Sequence, residues 1–125
     1  MNVQECYQKM DGNYDEAVYR MGSDERIIKY LKIFQKDTNF ASLCEAVKNN
    51  DYKTAFIAAH TLKGVALNLS LTSLADSTIE LTEMFRGGMP GENVGSLLQN
   101  TKRAYALVLE CINTLTNYTV EKVIG

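Results

Sequence analysis

The only histidine in the chain is His60, within AAHTLKGVAL at residues 58–67. A neutral imidazole is a good nucleophile near pH 7 and can carry a transferable group. Lys63 and Gly64 follow three and four residues later. On a helix, both positions lie on the side of the histidine. A lysine ammonium there suits an anion held on or beside the ring, such as a phosphoryl group. A glycine inside a helix costs about 1 kcal/mol relative to alanine. A side chain at position 64 is expected to crowd the ring, whereas a bare position lets another molecule approach it.

A helical wheel tests whether this group faces outward. With His60 at zero and ~100° per residue, Ala55, Ala58, Leu62, Val65, Ala66 and Leu69 gather within roughly 60° of the opposite side. They form the predicted core face. Lys53, Phe56, Lys63, Gly64, Leu67 and, at the flank, Asn68 share the side of His60. The apolar phase continues beyond Gly64, so the helix runs through the glycine. Phe56 and Leu67 on a wet face around one reactive group read as a docking surface. The plainer alternatives are an ordinary surface histidine among solvated lysines, and Phe56 and Leu67 packed on a neighbouring helix or on the N-terminal arm.

The elements that must position this helix follow from caps and apolar spacing. Residues 1–12 read as a short helix or a loosely held arm. Asp15 to Met21 reads as a short helix stopped by Gly22. Ser23 caps the next helix, whose stripe is Ile27, Ile28, Leu31 and Phe34. Asp37-Thr38-Asn39 marks a restart, and Phe40, Leu43 and Val47 continue an apolar face. Asn49-Asn50-Asp51 is a turn, with Asp51 capping the His60 helix, which runs to about Leu69. Ser70 or Thr72 opens another helix, GGMPG at residues 87–91 is a loop, and a long helix runs from about Asn93 to Tyr118. Four substantial helices on short turns predict an all-α, antiparallel four-helix bundle with extra short N-terminal helices. The whole chain, 1–125, is expected to be a single domain.

Composition removes several classes of function. A net charge of −2 with dispersed Lys and Arg argues against bulk gripping of nucleic acid. No apolar run reaches ~18 residues and the N-terminus has no signal-peptide core, so no membrane role and a cytoplasmic location are expected. Cys6, Cys44 and Cys111 lie far apart and read as reduced core fillers rather than a disulfide framework or zinc site. No nucleotide-binding glycine loop or kinase signature set is present, so the chain is not expected to phosphorylate itself from ATP. No carboxylate cluster surrounds His60, so no metal of its own is expected.

The string HTLKG, His60 to Gly64, resembles the signature of histidine-containing phosphotransfer (HPt) domains, and of a free-standing bacterial-type member. The AAHTLKG context, the Asn68-Leu69 pair and the long terminal helix extend the likeness over roughly residues 13–118. The resemblance implies a phosphoryl carrier in a multistep two-component phosphorelay, not an enzyme in its own right. It places the phosphorylated histidine at His60, the steadying lysine at Lys63 and the access position at Gly64. Lys53, Phe56, Leu67 and Asn68 are then candidates for partner docking. The implied partners are response-regulator receiver domains and a hybrid sensor histidine kinase, with Mg²⁺ supplied by the receiver alone. A monomer is expected. Many members of the family have a small Ser or Ala where this chain has Val65, and glycine where it has Ser70. The first departure points inward; the second bears on the turn geometry. A helical adaptor that binds through the His60 face without phosphate is the alternative, and it predicts that His60→Gln is silent.

Overall fold

Side-chain caps set most helix starts. Asn2, Asn13, Ser23 and Asp51 each accept a hydrogen bond from the backbone N–H three residues on, at 2.8–3.2 Å. These satisfy donors that a helix N-terminus otherwise leaves open. In this computed structural model, which describes residues 1–88 and 90–124 and side chains as far as residue 115, seven helices follow. They are α1 (Val3–Lys9), α2 (Tyr14–Met21), α3 (Asp24–Phe34), α4 (Asn39–Lys48), α5 (Tyr52–Asn68), α6 (Thr72–Arg86) and α7 (Val94–Ile124). No strand occurs among the described residues. Of the expected 87–91 loop, Met89 lies outside the described residues. The last helix continues past Tyr118 to Ile124.

The antiparallel bundle is formed by α4 to α7. α5 packs between α4 and α6, and α6 packs on α7. Phe40 of α4 stacks on Tyr105 of α7 with ring centroids 4.4 Å apart, which closes the ring of helices. The core has two parts. One joins Leu43 and Ala46 to Ala55, Ala58, Ala59, Leu81 and Phe85. The other joins α1–α3 to Leu62, Ala66 and Leu69 of α5 and to the later part of α7. Ala59 belongs to the first part and Leu62 to the second, so α5 is gripped on both sides of His60. Four fully buried or nearly buried alanines on α5 let its neighbours come close.

The N-terminal segment is a packed helix rather than an arm. Val3, Cys6, Tyr7 and Met10, spaced as one helix face, are all buried. The Tyr7 hydroxyl donates to the Leu69 carbonyl at 2.8 Å, at the end of α5. The α1–α2 loop is stitched to the α5–α6 turn by Asn13 N–H to Ser70 O at 2.9 Å, and to the first turn of α6 by Ser73 N–H to Asp11 O at 3.2 Å. Glycine is required at position 12, where a β-carbon would lie 2.8 Å from Tyr7 Cδ2 and 2.9 Å from the Ser70 carbonyl oxygen. Ser70 itself holds φ 57, a left-handed conformation that favours glycine. Its hydroxyl donates to Glu16 at 2.9 Å, and this contact together with the Asn13 bond offsets the strain. The turn therefore keeps its geometry without glycine at Ser70.

This docking makes the fold sensitive to alkali. Burial, then the neighbouring Cys111, pushes the Cys6 thiol up to about 12 from 9.0. Burial, then the neighbouring Cys6, pushes the Tyr7 hydroxyl above its ordinary 10.0. Both groups are held protonated in the fold and ionise more easily in the unfolded chain. Their contribution is complete below about pH 9 and is lost as pH rises toward 12. Urea midpoints measured from pH 7 to 10.5 are expected to fall steeply above pH 9, by a few kcal/mol in stability at the upper end. Tyr7→Phe should flatten the part of the fall above pH 10; a midpoint constant across the range would contradict this account.

Candidate functional site

The middle of α5 presents His60 to solvent. Its ring is exposed, lies tilted at 38° to the Phe56 ring with centroids 6.0 Å apart, and makes no hydrogen bond among the described residues. The predicted core face is buried at Ala55, Ala58, Leu62, Ala66 and Leu69 and half-buried at Val65. Ala59, outside that predicted set, is fully buried as well. Lys53 and Asn68 are exposed, Lys63 and Gly64 half-buried, and Leu67 41% exposed. All seven candidates therefore line one face of one helix. Asp51 starts that helix by accepting from Thr54, whose side chain and backbone hold the Asp51 carboxyl below its usual range.

Gly64 departs from the expectation that a side chain there crowds the ring. A β-carbon built there meets nothing within 4 Å. A small side chain would not crowd the histidine from within the chain, because position 64 points into open space. The protein's own packing therefore gives no reason for the glycine.

Phe56 divides the two readings of the apolar flank. It is half-buried and packs on the cluster that contains Phe85 of α6. The Arg86 guanidinium sits 5.3 Å above its ring centroid and also pairs with Glu83 at 3.2 Å. Phe56 is thus partly a helix-packing residue, whereas Leu67 faces water. Sequence reading missed Arg86 and missed Ile57, which is 57% exposed beside the histidine. Ile57 lay 60° from His60 on the same wheel and was legible there. Arg86 comes from a distant part of the chain and carried no local signal.

Electrostatically, the face bears Lys53 and Lys63 with no ion-pair partner among the described residues. A groove of about 550 Å³ runs beside it, lined by residues including Lys53, Phe56, Ile57 and Arg86 but not His60. The histidine stands exposed on the helix surface. No group of three or more His, Cys, Asp or Glu side chains among the described residues is placed to hold a metal ion. No helix among them is long and apolar enough to cross a membrane. The arrangement suits transfer to the ring from a large partner that brings its own polar groups.

No curated protein and no solved structure matches the chain. A family model does match: the Hpt domain, over residues 33–115, from the last turn of α3 through α7 to Leu115. α1, α2 and most of α3 lie outside the matched segment. With most of the chain covered by that match, the protein belongs to the Hpt domain family, whose members pass phosphoryl groups on histidine in phosphorelays.

Proposed function

We propose that the protein is a phosphoryl carrier, and that His60 accepts phosphate from, and returns it to, receiver-domain aspartates. The observation that carries this reading is the exposed His60 ring in the middle of α5, beside an open Gly64 and an unpaired Lys63, in an Hpt-family chain. In the forward step, the lone pair of the outer ring nitrogen attacks phosphorus of an aspartyl phosphate. The N–P bond forms as the acyl P–O bond breaks, and aspartate leaves as carboxylate. The reverse step returns the phosphoryl group to an aspartate.

Each residue has one task. α5, fixed on both sides by the core, holds the imidazole in position for in-line transfer. The Lys63 ammonium screens charge on the phosphoryl oxygens. Gly64 leaves the approach open. Lys53, Phe56, Leu67 and Asn68 meet the partner, with Ile57 added to that set. The receiver supplies its acidic pocket and Mg²⁺, and a hybrid sensor kinase and a second regulator stand at the two ends of the relay. The carrier itself draws nothing from ATP.

The test is transfer in both directions. The protein is incubated with phosphorylated receiver domains and Mg²⁺, reisolated, and mixed with fresh receiver. One phosphate gained, then lost as the second receiver gains it, is the expected result. Receiver binding with no phosphate moved in either direction would favour the adaptor.

A further inference from the structure

A cleft lies at the end of α5, beyond the His60 face. About 560 Å³ in volume, it is lined by Arg20 and Met21 of α2, Arg26 and Tyr30 of α3, and Asn68 and Leu69 at the end of α5. Met21 and Leu69, both nearly buried, make an apolar floor. Around the floor stand two guanidiniums, a phenol and an amide. We propose that this cleft is an accessory docking site for a carboxylate side chain, Asp or Glu, on the surface of the receiver domain that engages His60. The inference rests on the phosphoryl-carrier reading.

Three features support this occupant. The first is charge. Arg20 is steadied by Glu16, with Nε 3.2 Å from Oε1, while Arg26 has no ion-pair partner among the described residues. Glu16 is itself engaged by the Ser70 hydroxyl at 2.9 Å. Two guanidiniums line the cleft and only that of Arg20 has a carboxylate partner among the described residues, so the remaining positive charge suits an incoming anion. A guanidinium fork matches a carboxylate in geometry as well as sign. An apolar floor beneath it suits the methylene stem of Asp or Glu.

The second feature is continuity. Along α5 the surface passes from His60 to the open Gly64, then to exposed Leu67, then to Asn68 in the cleft. Asn68 lies eight positions beyond His60 on the helix, about 12 Å at 1.5 Å per residue. A standard interface buries about 800 Å² per partner, a patch roughly 16 Å in radius. A globular partner centred on His60 therefore reaches Asn68, at the edge of the cleft.

The third feature is rigidity. α2 and α3 are not free to swing: Ala17, Met21, Ile27 and Leu31 are buried in the same core cluster as Leu62 and Leu69 of α5. The stitch between the α1–α2 loop and the α5–α6 turn also holds them. The helices outside the family-matched segment thus present a fixed cationic rim beside the matched helices α4–α7.

The test compares receiver binding by the wild type, Arg20→Gln/Arg26→Gln, and a charge-matched Lys102→Gln/Arg103→Gln protein altered on α7. Affinities for a panel of purified receiver domains are titrated at two salt concentrations. About a tenfold loss and a weaker salt dependence are expected for the α2–α3 variant only. Amide shifts on receiver addition should include Arg20, Arg26, Tyr30 and Asn68. A receiver Asp→Lys or Glu→Lys change that restores binding to Arg26→Glu would identify the matching carboxylate. Equal affinity and salt dependence in wild type and α2–α3 variant would overturn the cleft, while phosphate transfer to wild type would leave the carrier reading standing. Loss of binding in that variant without any phosphate transfer would do the reverse. An equal loss in the α7 variant, or no receiver bound at all, would also overturn the proposal.

Discussion

His60→Gln should take no phosphate from any receiver, a fall on the order of 10³-fold or more, because the only imidazole is gone. Glutamine keeps a polar side chain of similar reach but has no nucleophilic ring nitrogen. The ring is exposed and makes no hydrogen bond among the described residues, so its loss should shift stability by less than about 0.5 kcal/mol. Receiver affinity should change only modestly, since the docking face and the cleft remain. That combination separates a chemical defect from a folding or docking defect. Full phosphate uptake by the variant, read by intact-mass analysis at neutral pH, would move the acceptor to another residue.

At Gly64 stability and transfer should part company. A β-carbon there has open space, and alanine is about 1 kcal/mol better than glycine inside a helix. Gly64→Ala should therefore raise the urea midpoint. Gly64→Leu should retain most of that gain while standing in the path of the receiver. Displacing the reacting groups by about 1 Å is enough to slow transfer about 100-fold. Labelling by a small donor such as phosphoramidate should stay within a few-fold, because no large body has to fit. The paired readout is the midpoint against receiver-dependent transfer. A Leu variant that transfers as fast as wild type would remove the access role; one that lost stability would contradict the open geometry.

The site helix was the most legible part of the chain. Its apolar phase ran unbroken through Gly64, and the wheel gave both the buried face and the outward histidine. Caps at Ser23 and Asp51 were legible for the same reason: they act over three residues. α1 could have been read from the spacing of Val3, Cys6, Tyr7 and Met10 behind Asn2. What no local pattern announced was its destination, the carbonyl of Leu69. The reason Ser70 tolerates a left-handed backbone lies in Glu16 and Asn13, far away in sequence. Arg86 over Phe56 and the Arg20–Arg26 cleft were invisible on the same ground, since each joins side chains from separate helices. The crowding expected at Gly64 failed because adjacency on a wheel does not give the direction of a missing side chain.

The most direct measurement locates the phosphate. Protein phosphorylated by a receiver would be digested at neutral to alkaline pH and fragmented under conditions that keep N–P bonds intact. The account predicts one acid-labile phosphate, on His60, within the peptide that spans Lys63 and Gly64. An acid-stable phosphate, or one on any residue other than His60, would contradict it.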